Sequence, residues 1–516
     1  MISIDGHHLQ IEEIVGVARN FERVQISDEG RKNITNSYEL RKRISSSGKP
    51  VYGINTGFGI FANKQIDNKD SSKLSRNLII SHAVGTGDPL PNEVVRAAML
   101  VRANTLTKGY SGVRPIVVET LLQMLNTNVI PQVPSQGSLG SSGDLAPLSH
   151  LALVFTTDEN DLDEESGFAY FEGKLYSGKD AMLKAGIPRI ILEAKEGLAI
   201  NNGATFSAAI AALCTYDSKS IINFSEMSLA LSLEAMLACK AAYDPRIHNV
   251  RGQLGQIQVA ENVSNLIKKS NLIDSTERVQ DAYSLRCAPQ VQGVARDTLQ
   301  FIRPVVEREI NAATDNPLLF EPDVALSGGN FHGEPIGVVM DFLGIALSEI
   351  AAISERRINR MTDENLNAGL PPMLVDQPEA AGLNSGLMMP QYTAASLVLE
   401  NQTLAHPDSV FSIPTSAEQE DHNANAMNAC RHTLQILRNV QHVLAIELYT
   451  AARAIDLRMR DFVSGELGDG TKLIYQIIRD EIPYQAGDAL WWPEIEKVKQ
   501  LMAEEKFKMV LDFIKS

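Results

Sequence analysis

Cysteine is scarce in this chain: four residues in 516, at 214, 239, 287 and 430, with no Cys-x-x-Cys spacing among them. That pattern excludes a zinc ribbon and a disulfide framework and fits a reducing compartment. Positive charge is also in deficit, 47 Lys and Arg against 63 Asp and Glu, for a net charge of -16. Nucleic acid and anionic membrane surfaces are held chiefly by lysine and arginine, so both are poor candidate partners. The first twenty residues lack the continuous apolar stretch of a signal peptide, since Asp5, Glu12 and Glu13 interrupt it. No run approaches membrane-spanning length, and neither an internal repeat nor a low-complexity linker is present. The expectation is a cytoplasmic globular protein that acts on a small molecule.

What is present is mostly helical pattern. Length alone allows about three domains, but the composition shift near residue 204 suggests two, 1–203 and 204–516. Ala204 to Ala242 is alanine- and leucine-rich, apolar nearly all round, and stops before Asp244-Pro245. Further helical patterns cover Gln292 to Ala313, Pro335 to Met361, Gln391 to Leu404, Asn423 to Ile455 and Trp492 to Ile514, with a glycine-marked break over Asp461 to Thr471. Phe168 to Tyr176, alternating around Glu172-Gly173, reads as a small hairpin. The fold class is therefore mainly α: a long central helical bundle with a smaller, loop-rich N-terminal portion. Helices apolar on all sides also suit burial against other subunits.

The most unusual stretch is Gly137 to His150, Gly-Ser-Leu-Gly-Ser-Ser-Gly-Asp-Leu-Ala-Pro-Leu-Ser-His. It is a loop of glycine and serine that turns into an apolar helix at Asp144, a good N-cap. It lacks the Gly-Lys-Ser/Thr ending of a phosphate loop and the Gly-x-Ser-x-Gly of a nucleophile elbow. Taken alone, it is a capping turn. Other dense polar clusters are Glu196 to Gly203, Gln280 to Arg286, Thr314 to Pro317, Gly328 to Gly333 and Glu418 to His422, together with the glycine loop Val51 to Phe61. None matches a metal-binding template, so no metal is expected.

In order and in content these motifs resemble the aromatic amino acid lyase family, the histidine and phenylalanine/tyrosine ammonia-lyases and related aminomutases, from about Tyr52 to His422. The resemblance implies an electrophile built from the chain itself, 4-methylidene-imidazol-5-one, in the N-terminal portion, with no external cofactor. The precursor residues are Ser141, Ser142 and Gly143. Gly143 nitrogen attacks the carbonyl carbon of residue 141, and Ser142 loses its hydroxyl. Where the family carries alanine this chain has Ser141, whose side chain takes no part in ring formation. The electrophile turns the substrate amine into a better leaving group, a form of covalent catalysis. The resemblance further implies Tyr52 as the base for the β-proton, which requires support for its phenolate. Asn202 and Tyr283 match the residues that assist the electrophile and the amine. Arg286 matches the residue that pairs with the carboxylate, for which a planar guanidinium is suited.

Ser81-His82 and Glu420 match the histidine-specific members, with Phe331 and Met388 lining the ring pocket. A carboxylate plus a histidine suits an imidazole, which has one donor and one acceptor. The expected reaction is therefore loss of ammonia from L-histidine to give urocanate. The alternatives are another aromatic amino acid ammonia-lyase, a 2,3-aminomutase, or a helical scaffold that has kept the motifs without the chemistry. The chain departs from the histidine-specific pattern at Asn201, Ala204, Ala288 and Asn423 to Ala426. A homotetramer with active sites shared between chains is also implied.

Overall fold

The computed structural model describes residues 1–48, 50–57, 59–61, 63–462 and 464–514. Phe58, within the glycine loop, lies outside them. As expected, the chain is mainly α-helical. Strands among the described residues are two to four residues long and form five small sheets. Ile2–Ile4 runs parallel to Val24–Ile26. The anticipated hairpin is present, with Phe168–Phe171 antiparallel to Lys174–Ser177. Its tip is Glu172-Gly173, both at positive φ, as a tight hairpin turn requires.

The expected helices form at Thr205–Ala235, Ala288–Glu309, Glu334–Thr362, Met388–Leu404, Ala426–Asp461 and Trp491–Ala503. The first is buried along nearly its whole length apart from positions near Tyr216, which is why its sequence shows no polar stripe. The expectation that no run approaches membrane-spanning length needs correcting. Glu334–Thr362 is long and apolar enough by length and composition, with a mean hydropathy of 2.0 over its most apolar window. Since 72% of that window is buried within the protein, its apolarity answers to neighbouring helices and not to lipid.

The chain forms two compact units that are interleaved in sequence. The first comprises 1–216, 302–341 and 407–431, the second 217–301, 342–406 and 432–516. The sequence pattern suggests one boundary, at residue 203. The chain crosses between the units five times, four of them inside Thr205–Ala235, Ala288–Glu309, Glu334–Thr362 and Ala426–Asp461, where no composition shift marks a change, and once at His406-Pro407, just after Met388–Leu404.

In the first unit, the helices Ser71–His82, Leu145–Phe155 and Glu196–Asn201 pack on one another. Their packing brings together His82 at the end of one helix, Gly143 just before the second and Asn202 just after the third. In the second unit, Glu447 is fully buried and accepts hydrogen bonds from Ser228 Oγ (2.9 Å), Ser232 Oγ (2.7 Å), Ser354 Oγ (2.6 Å) and Arg357 Nε (2.5 Å) and Nη2 (2.8 Å). One carboxylate thus ties three long helices. Removing one member of a buried ion pair leaves the other charged and unpaired, at a cost of about 3–5 kcal/mol. Glu447→Ala should therefore destabilise the protein by an amount in that range, read from urea unfolding, and a loss below about 1 kcal/mol would refute this role.

Candidate functional site

A cavity of about 1250 Å³ opens in the first unit. Its wall includes Tyr52, Ser81, His82, Ser141, Ser142, Asn202, Phe331 and Glu420, eight residues from six stretches far apart in sequence. Tyr283, Arg286 and Met388 belong to the second unit and do not line this cavity.

The floor is a backbone pairing. Gly143 and Gly203 form a parallel bridge, with Gly203 N–H donating to Ser142 O (3.3 Å) and Asp144 N–H donating to Gly203 O (2.9 Å). Asn202 Nδ2 donates to the same Ser142 carbonyl at 2.8 Å. Gly143 has φ +77°, and a Cβ there would lie 2.1 Å from the carbonyl carbon of Gly203. Gly203 has φ +126°, and a Cβ there would lie 2.4 Å from Thr314 Oγ1 and 2.7 Å from Arg102 Nη2. Both conformation and space therefore demand glycine at these two positions.

Asp144 does not cap its own helix, as the sequence suggests. It sits at the N-cap position of Leu145–Phe155 with no side-chain cap bond. Its carboxylate instead accepts from Ser138 Oγ (2.8 Å) and from Ser207 N–H (2.8 Å) and Oγ (3.0 Å). Ser207 is the third residue of Thr205–Ala235, so Asp144 caps the start of that helix, where unpaired N–H groups and the helix dipole both favour an anion. Burial raises the Asp144 pKa, with the bonds from Ser207 and Ser138 and the charge of Arg102 opposing it. Arg102 is itself buried, which lowers its pKa to about 10. It donates to Ala199 O (3.2 Å) and to Thr205 Oγ1, gripping the turn that carries Asn202 and Gly203 from both sides.

On the cavity wall, Glu420 accepts from Ser142 Oγ (2.7 Å) and Ser141 Oγ (3.0 Å). Ser81 Oγ lies 3.0 Å from His82 Nδ1. Burial lowers the His82 pKa, opposed by a backbone hydrogen bond at Leu78 and by Glu420, a shift that favours the neutral ring. Tyr52 OH accepts from Gly59 N–H at 3.4 Å. Burial raises its pKa, the Gly59 bond lowers it, and the Glu420 charge raises it again. Asn202 Oδ1 is buried and has no hydrogen-bond partner among the described residues.

Two histidines escape assignment from sequence. His332 and His422 both line the cavity, their rings stacked at 5.9 Å with 9° between planes. Each lies inside a polar cluster singled out above, but ring stacking across ninety residues of sequence leaves no local pattern. In the second unit, the Arg286 guanidinium sits over the Tyr283 ring at 4.7 Å. Arg286 Nε is buried without a partner among the described residues. Among the described residues no three or more potential metal ligands come together.

The model of the aromatic amino acid lyase family matches residues 9–480. A histidine ammonia-lyase from Caldanaerobacter subterraneus subsp. tengcongensis is 49% identical, over 93% of this chain and 92% of that protein. The solved histidine ammonia-lyase of Trypanosoma cruzi superposes with a TM-score of 0.90 at 35% identity, over 100% of this chain and 96% of that one. A tyrosine aminomutase from Streptomyces globisporus also superposes with a TM-score of 0.90, at 32% identity over 100% and 99% of the two chains.

If the electrophile that the family resemblance implies forms at Ser141-Ser142-Gly143, the mature chain should be lighter than its sequence by two waters, and a Gly203→Ala chain, whose Cβ would lie 2.4 Å from Thr314 Oγ1, should retain the full sequence mass. Intact-protein mass spectrometry of both chains reads this out, and a Gly203→Ala chain with the full mass deficit would show that the pairing is not required.

Proposed function

Since the chain belongs to the aromatic amino acid lyase family and is a carbon–nitrogen lyase, we propose that it eliminates ammonia from L-histidine to give urocanate. The observation that carries this reading is the Glu420 carboxylate on the cavity wall, 2.7 Å from Ser142 Oγ. There it accepts an imidazole N–H, while His82, its Nδ1 paired with Ser81 Oγ, has Nε2 as the ring nitrogen left for the same ligand. The activity of the histidine ammonia-lyase relatives supports the same substrate.

Ser141, Ser142 and Gly143 fit a 4-methylidene-imidazol-5-one. Gly143 carries no side chain where the backbone of Gly203 approaches, and Asn202 Nδ2 and Gly203 N–H both point at the Ser142 carbonyl. When formed, that group supplies an electrophilic carbon for the substrate amine. Asn202 and Gly203 are fixed donors that stabilise negative charge on the carbonyl oxygen as it builds up. Asn202 Oδ1, a buried acceptor lacking a partner, suits the substrate ammonium. Tyr52 takes the β-proton. Because burial holds its phenol protonated, the phenolate is favoured by positive charge entering the cavity, and the substrate ammonium is such a charge.

The cavity is larger than the roughly 300–1,000 Å³ usual for small-molecule sites, which leaves room for further side chains. We place Tyr283, Arg286 and Met388 in a neighbouring subunit's contribution to a shared site, within a homotetramer. The unpartnered Arg286 Nε suits the substrate carboxylate. Localisation in the cytoplasm agrees with this role.

Four outcomes test the proposal. NMR of the products from L-histidine should show urocanate, whereas a β-amino acid would make the enzyme an aminomutase. Tyr52→Phe should cut kcat by about 10²–10⁴-fold while the two-water mass deficit persists. In the parent, a raised pKa on a group that acts deprotonated makes kcat/KM rise with pH from neutral into the alkaline range, and a flat profile would argue against Tyr52 as base. Light scattering after size exclusion should give four chains per particle, and an active monomer would rule out the shared site.

A further inference from the structure

We propose that the Ser141 hydroxyl is a positioning group for Glu420: it keeps hold of one carboxylate oxygen after Ser142 has lost its own hydroxyl, leaving the other oxygen to face the substrate ring. This rests on the reading of the site given above.

Two hydroxyls share the carboxylate. Ser142 Oγ donates to Oε1 at 2.7 Å and Ser141 Oγ to Oε2 at 3.0 Å. Ser141 is 6% exposed, so its hydroxyl is largely shielded from water and meets the carboxylate directly. The loop carrying Glu420 is irregular: Ser416, Ala417 and Glu418 have φ of 52°, 52° and 66° in succession. Within the loop, Thr415 N–H donates to Glu420 O (2.8 Å), Glu420 N–H donates to Thr415 O (3.2 Å), and Gln419 N–H donates to Ser416 O (3.2 Å). On this loop the carboxylate takes its orientation from the two serines.

Ring formation treats the two donors differently. Gly143 N bonds to the carbonyl carbon of Ser141, whose oxygen leaves as water with the amide hydrogens of Ser142 and Gly143. Ser142 Oγ then leaves as a second water with the Ser142 α-hydrogen. No atom comes from the Ser141 side chain, so the donor to Oε1 disappears and the donor to Oε2 remains. The carboxylate is left half anchored, with its free oxygen on the side where the electrophile forms. His82, His332 and His422 line the same cavity, and none of them donates a hydrogen bond to Glu420 among those described. An alanine at 141 keeps the chemistry of cyclisation and removes the anchor.

The experiment compares the parent, Ser141→Ala, Ser141→Thr, Glu420→Gln and the Ser141→Ala/Glu420→Gln double variant. Ser141→Ala should still be lighter than its sequence by two waters. Its KM for L-histidine should rise about tenfold, the scale of one hydrogen bond to a charged group, with a smaller fall in kcat. Ser141→Thr, which keeps a hydroxyl, should restore KM. A dehydrated Ser141→Ala with KM within twofold of the parent overturns the proposal. So does a Ser141→Thr as impaired as Ser141→Ala, and so does a Ser141→Ala that never dehydrates, which would assign the hydroxyl to ring formation. If the parent does not turn over L-histidine, the substrate reading alone fails. The pairing is then judged by urea unfolding, where non-additive midpoint shifts across the cycle support it and additive shifts overturn it.

Discussion

The site depends on one buried carboxylate. Asp144 comes directly after Gly143 in the chain, yet its side chain reaches Ser207 at the start of Thr205–Ala235. That bond pulls the glycine-serine loop down onto the turn at Asn202-Gly203, and the backbone pairing of Gly143 with Gly203 closes the gap. A buried carboxylate is tolerated only when donors surround it. Ser138 and Ser207 supply them, and Arg102 supplies charge from the other side. The reactive tripeptide is therefore held by a polar clamp and by glycine backbone, with little apolar packing of its own.

The second unit uses the same device for another end. Glu447 gathers three serines and Arg357 from long helices, and Arg357 Nη1 also donates to Ser284 O at 3.3 Å. Tyr243 OH donates to Leu285 O at 2.6 Å. Two buried side chains thus fix the backbone of the short helix Tyr283–Arg286. Tyr283 and Arg286, proposed above for a shared site, are set by contacts made far from them in sequence.

Much of the fold is legible in the sequence because helices apolar on every side announce themselves in composition, as Thr205–Ala235 does, and because Glu172-Gly173 carries its own turn signal. The interleaving of the units is not legible. Four of the five crossings lie inside helices that pass uninterrupted from one compact unit into the other, and an uninterrupted helix leaves no punctuation. The long apolar run of Glu334–Thr362 is easily underestimated, since Asp341 and Glu349 break it to the eye without lowering its mean hydropathy enough. At the site, Ser142, Asn202, His82 and Glu420 are legible through their motifs. Asp144 points to the wrong helix because a capping residue is recognised by its immediate neighbours in the chain, and its actual partner lies 63 residues away. His332 and His422 stack across a comparable distance, and the role of Ser141 emerges only with Glu420 beside it.

The pairing of Gly143 with Gly203 joins segments sixty residues apart, and neither can reach the other until the helices between them have docked. Under the proposed chemistry, ring closure is then conditional on that docking, while the ring, once closed, is made of covalent bonds that later unfolding does not reverse. The chain would carry a permanent imprint of having folded, so that even a denatured sample could be sorted by weight into molecules that had reached the native arrangement and those that never did.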